Sequence, residues 1–202
     1  MSDRPSGSAD LRLGAHVVRV LLSPRATLRA LASETSARSG ASAVALLGFA
    51  WGLLLALLWS RGHSPSFVLV PIPRDVYYLV QALAMVPLSS ALWWLSSEIA
   101  HRICRAAGGT GGEAGTRAAL GFAYAAPMLA AHVLPELVAF LAFGFDAMAK
   151  VGRVTLGLAS LWVWALSAAA LRVAHGVRVP TAVLASFAGL LAQALAGAVI
   201  VR

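Results

Sequence analysis

Four ionisable side chains inside long apolar runs are the places where this chain could do chemistry. Glu98 and His101 stand three residues apart, and His132 and Glu136 four apart, so each pair shares one face of a helix. A carboxylate at mid-membrane costs on the order of 3 kcal/mol on insertion scales, so each needs a partner or water. Two carboxylates and two imidazoles could ligate zinc or iron, and Glu-x-x-His recurs in di-iron bundles. A di-iron site, however, needs more carboxylates than these runs offer. The simpler expectation is a polar pair linking the second and third apolar runs, with an aqueous cavity or proton relay as the more ambitious reading. The stretch GGTGGEAGT at 108–116 invites a phosphate cradle, but it lacks the Lys-Ser/Thr of a P-loop and no strand precedes it. It reads as a mobile turn flanked by Arg102, Arg105 and Arg117. The single cysteine, Cys104, excludes an internal disulfide and a multi-thiolate metal site, and reads as a small buried hydrophobe. No nucleophile motif such as Gly-x-Ser-x-Gly occurs. No catalytic, cofactor-binding or metal-binding residue is assigned.

The elements that must hold these groups are membrane helices. Of 202 residues 59% are apolar and 12% charged, and the mean hydropathy is +0.80, which excludes a water-soluble domain. A backbone in hydrocarbon must satisfy its own N–H and C=O groups, so each long apolar run is helical. Five spans are expected, at about 41–59, 76–104, 118–145, 154–173 and 181–201. Pro87 predicts a kink in the second. Pro127 and Pro135 make the third either kinked or two half-helices joined in the membrane, a construction used at many transporter sites. Residues 1–10 read as a disordered tail, and 11–40 as an amphipathic arm. Within that arm, Ser23 supplies an N-cap and Pro24 a first helical position. The arm suits either the membrane surface or a dock on the bundle. Its first 30 residues hold seven Arg, Asp or Glu and no continuous apolar core, so no cleavable signal peptide is expected and the first apolar run serves as a signal anchor.

The charge of +8 rests on 15 arginines and one lysine. In a soluble protein such a balance would suggest nucleic acid. Here the cations lie in the arm and the loops, where they orient helices and meet anionic headgroups, so no nucleic acid is expected. Eleven of the sixteen fall on the side of the N-terminus and five (Arg61, Arg74, Lys150, Arg153 and Arg202) on the other. The positive-inside rule then predicts a cytoplasmic N-terminus and, after five spans, a C-terminus outside. Arg19, Arg25 and Arg29 on the arm, with Arg102, Arg105 and Arg117 around the glycine loop, are the candidate lipid or partner contacts.

Residues 101–127, HRICRAAGGTGGEAGTRAALGFAYAAP, resemble the signature of the Yip1 domain: a basic helix end, a Gly-Gly-x-Gly loop, then a small-residue helix with Tyr and Pro. LLSPRATLRAL at 21–31 is similar to that family's amphipathic lead-in. LRVAHGVRVPTAV at 171–183 is similar to its basic turn before the last helix. The resemblance implies five spans with the N-terminus inside and supplies no catalytic residues. Eukaryotic members are Golgi and endoplasmic-reticulum proteins associated with Rab-type GTPases. The preference for Arg over Lys, with abundant Ala and Gly, resembles a GC-rich bacterial genome, so that trafficking role is not carried over. The expectation is an all-α integral membrane bundle in a bacterial inner membrane, non-enzymatic and without a cofactor, acting as an adaptor or organiser. Its partners would be the bilayer and a membrane or cytoplasmic protein, with a homo-oligomer left open. A small transporter or permease subunit using His132 and Glu136 is the alternative, and an intramembrane lipid-modifying enzyme the third choice.

Overall fold

The computed structural model describes residues 7–65 and 71–201, and among these there is no strand. Two short helices, α1 (Gly7–Leu22) and α2 (Pro24–Ala32), precede the bundle. Five helical spans follow: α3 (Arg38–Ser60), α4 (Tyr77–Ala106), α5 through α6 (Glu113–Phe143), α7 (Phe145–His175) and α8 (Val179–Val201). All five are long and apolar enough to cross a bilayer. Residues 1–6, from the expected disordered tail, lie outside the described residues, and α1 takes in the remaining four.

The connections alternate between two ends of the bundle. The α4–α5 loop and the α7–α8 turn lie at one, the loop end. The α6–α7 hairpin lies at the other, the hairpin end. That hairpin turns on a single residue, Gly144, at φ 83°, where a side chain would be strained. α4 packs between α3 and α8, while α5 packs on α3 and α7. α3 and α5 cross backbone to backbone: a Cβ added to Gly121 would stand 2.6 Å from the Cα of Gly40. Such small-residue crossings are how helices associate in lipid, where no hydrophobic force separates helix from solvent.

The third span is one helix and not two halves. Pro127 lies inside α5 (Glu113–Met128), and Pro135, at the start of α6 (Leu134–Phe143), is absorbed by a π-helical turn between them, Leu129–Val133. Leu134 N–H reaches back five residues to Leu129 O. Pro135 has no N–H to offer, so it adds no bond to the ladder after that turn. Pro87 lies inside α4, which continues through it as a helix.

The arm docks on the bundle. Val20, Leu28 and Leu31 are at most 1% exposed and join Leu47, Phe122, Val163 and Leu171 in one core. α1 and α2 both pack on α5, and α2 also on α7. The opposite side of the arm carries Arg19, Arg25 and Arg29, all exposed. Pro24 does open α2, but Ser23 caps it with its carbonyl, which accepts from Thr27, and its hydroxyl makes no cap bond. A second core at the hairpin end joins Leu54, Leu58, Met85, Phe140 and Met148.

Candidate functional site

The two pairs expected to supply a polar link between the second and third spans lie in separate places, Glu98 and His101 toward the loop end, His132 and Glu136 between the middle and the hairpin end. At the loop end Glu98 does link those spans, but to arginine: its carboxylate accepts from Arg102 Nε at 2.6 Å and from Arg117 Nη2 at 2.8 Å. Arg117 also meets Glu113 at 2.6 Å and lies 5.2 Å over the Trp94 ring. Only 17% of the Arg117 side chain is exposed, so it is committed inside the protein and is a poor lipid contact. Arg102 is 78% exposed and remains available. Arg105 donates to the carbonyl of Gly109 at 3.1 Å.

His101 turns to the fourth span instead. Its Nδ1 lies 3.2 Å from Nε2 of His175, the last residue of α7. Nε2 also lies 3.0 Å from the Thr116 hydroxyl of α5. The glycine loop is clamped against this cluster and is not a free turn. Thr110 N–H donates to His175 O at 3.2 Å, and Gly109 N–H to Cys104 O at 2.8 Å. A Cβ on Gly109 would stand 2.9 Å from the His175 ring, and one on Gly111 2.6 Å from Ala174 O. These glycines are required by lack of space, whereas sequence alone suggested mobility. Cys104 is fully buried.

Farther along the third span His132 sits on the π turn near the middle, 3% exposed, with its ring 5.2 Å from Trp51 and edge-on to it. Its Nδ1 is 3.2 Å from Thr155 Oγ1 and 3.8 Å from Glu136 Oε1. The Thr155 hydroxyl gives its hydrogen to Val151 O at 3.0 Å, so His132 Nδ1 is the donor to Thr155. The Glu136 carboxyl lies in a notch of α7, where a Cβ on Gly152 would be 2.0 Å from Oε1. Both partners thus come from α7, not from α4. Glu136 lies about 10 Å from the end of α6. It faces the residue before Arg153, which is exposed. The carboxyl is therefore nearer the boundary than the middle of the span, which eases the cost expected for it.

A further buried polar group on the third span was not singled out in the sequence. Tyr124 hydrogen bonds to Gln193 beside a cavity of about 10 Å³, which Ser167 and Ser186 also line. Gln193 Oε1 is buried there with no hydrogen-bond partner among the described residues. Also among those residues, no three His, Cys, Asp or Glu side chains converge where a metal ion could be held. The Glu-x-x-His pattern thus assembles no di-iron set there.

Residues 18–201 match the family model of the Yip1 domain. The chain belongs to the Yip1 domain family. It is a multi-pass membrane protein. No curated protein and no solved structure matches it. The matched region begins inside α1, so the Yip1 domain takes in α2 as well as the five spans. Its Gly-Gly-x-Gly loop is the segment clamped on His175. His175, Thr116, Gly152 and Thr155 complete the two sites, and none of them carried a signal of its own in the sequence. His175 lies 74 residues from His101, and no helical or strand periodicity relates them.

Proposed function

We propose that this Yip1 domain protein is a non-enzymatic adaptor or organiser of a bacterial inner membrane, with the loop end facing the cytoplasm. One observation carries the reading: the arm is wedged into the core through Val20, Leu28 and Leu31 while Arg19, Arg25 and Arg29 stay outside. A helix used only as an interfacial anchor would leave its apolar face to lipid. Here that face is spent on the bundle, and a basic surface is held in a fixed place beside the clamped loop. A cytoplasmic or membrane protein with an acidic face is the partner such a surface suits, with a homo-oligomer as a further assembly. The cytoplasmic placement follows from the eleven-to-five distribution of cations.

Removing residues 1–33 would take three core side chains with it, so deletion is a poor test. Replacing Arg19, Arg25 and Arg29 together with Gln leaves the buried face alone. Capture from mild detergent should then lose the partner while the protein stays folded. Unchanged capture of every partner refutes the basic-face reading. A transporter subunit is supported by a different observation, the π turn at His132 with Glu136 against α7. Loss of a solute flux in Glu136→Gln, with capture unaffected, would favour it.

A further inference from the structure

The clamp at the loop end has a fixed proton count. The Thr116 hydroxyl owns one hydrogen and donates it to Gly112 O at 2.7 Å. Toward His175 Nε2, 3.0 Å away, its oxygen can therefore only accept, so Nε2 carries a hydrogen. The same Nε2 is 3.2 Å from His101 Nδ1, which must then be a bare acceptor. His175 Nδ1 is left unprotonated. It is buried, has no hydrogen-bond partner among the described residues, and faces Gly109 at a separation that leaves no room for a Cβ.

Both imidazoles are thus neutral when the loop is closed. A second hydrogen on His101 Nδ1 would set N–H against N–H. One on His175 Nδ1 would bury a donor with no acceptor, which the closed form cannot satisfy. The charged neighbours are of both signs. Glu98 is held by Arg102 and Arg117, and Glu113 by Arg117. Arg105, which donates to Gly109 O, adds a positive charge beside the pair.

We propose that His101 and His175 form a proton-binding site that controls the glycine loop. Uptake of one proton by either ring releases residues 109–112 from the end of α7. An opened pair titrates in the ordinary imidazole range near 6.5, so closure is complete above that range and is lost as pH falls through and below it. One proton bound on opening raises the opening equilibrium by up to about tenfold per pH unit. The site stands whether or not the loop meets a partner.

The test is amide hydrogen exchange of the full protein in lipid nanodiscs at pH 8, 7, 6 and 5, with rates corrected for the intrinsic effect of pH. The amides of Gly109 and Thr110 should lose protection by about tenfold or more between pH 7 and pH 5, while amides in the middle of α5 hold theirs. His101→Asn keeps an acceptor at the Nδ1 position, and His175→Gln keeps a donor at the Nε2 position, but neither side chain titrates. Each variant alone leaves one titrating ring and should make the profile shallower, and the two together should flatten it. Flat protection in the native protein overturns the proposal. So does a pH dependence that survives undiminished in the double variant, which would assign it to Glu98 or Glu113. Should the double variant fail to fold, the single variants and the native profile still decide.

Discussion

Replacing Gly115 with alanine should loosen the arm without touching any residue of the arm itself. A Cβ at Gly115 would stand 2.0 Å from Ala32 O, the carbonyl that ends α2. Ordinary C···O contacts lie near 3.3 Å, so α2 must retreat by roughly 1.3 Å. That retreat lifts Leu28 and Leu31 out of sites where they are 0% and 1% exposed. Overpacking of this kind costs about 1–3 kcal/mol, which is roughly a 5- to 150-fold rise in the undocked population. The helix-propensity gain of alanine over glycine belongs to α5 whether the arm is docked or not, so it cancels from the docking equilibrium. Limited trypsinolysis reads the change. Arg25 and Arg29 are exposed, but their peptide bonds lie in α2 and need local opening to be cut. When opening is fast, cleavage follows the open population, so Gly115→Ala should be cut about 5- to 150-fold faster than the native chain. Gly157→Ala is the control, because nothing lies within 4 Å of its Cβ position. Equal rates for Gly115→Ala and native protein would refute the docked arm.

At the hairpin end, Gly152→Ala should destabilise the protein by about 1–3 kcal/mol by expelling the Glu136 carboxyl, and Glu136→Ala should relieve most of that loss. A double-mutant cycle on denaturation midpoints in mixed micelles measures the coupling, and independent effects would remove the contact from the argument. At the loop end, Arg102→Ala should change stability by less than about 1 kcal/mol, because that arginine is mostly in solvent. Arg117→Ala should cost about 1.5–3 kcal/mol, since it strips two carboxylates of a shared donor; the same midpoints compare the two. Cysteines placed at Gly108 and at Gly62 should react with an impermeant thiol reagent from opposite sides of sealed vesicles. Cys104, the only native thiol, is buried and gives little background. Labelling of both from one side would contradict the alternation of five spans.

The spans were legible because hydrocarbon imposes one rule on every backbone, and that rule writes long apolar runs into the sequence. The docked arm was half legible. Its periodicity marked an apolar face, but periodicity cannot say whether lipid or protein covers it. Glycine was misleading at 109 and 111, since the same residue serves mobility and tight packing, and only the neighbour distinguishes them. His132 and Glu136 were found by type and spacing, yet their partners Thr155 and Gly152 are ordinary residues that become special only across a helix interface. The π turn was partly legible: Pro135 required that the ladder be interrupted, while how the helix absorbed the interruption depended on packing against α7.

The distribution of polar groups bears on the choice between adaptor and carrier. A carrier places its substrate near the bilayer midplane, where discontinuous helices expose backbone to the site. In this chain Glu98 and His101 lie toward the loop end and Glu136 toward the hairpin end, His132 is buried near the middle against Trp51 and Thr155, and the third span runs through Pro127 and Pro135 without breaking. Between the ends α5 presents Ala119, Phe122, Ala123 and Ala126, each at most 1% exposed. The other polar group near the middle, Tyr124 with Gln193, borders a cavity of about 10 Å³, the room of one water. A solute moving from Glu98 to Glu136 would have to part that small-residue core, whose helices touch backbone to backbone at Gly40 and Gly121. An adaptor needs the opposite: a bundle that stays shut, so that the basic face of its arm keeps a constant position. A closed core with its arm wedged into it supports the adaptor. The carrier reading would have to find its path in a second conformation that opens α5 from α3.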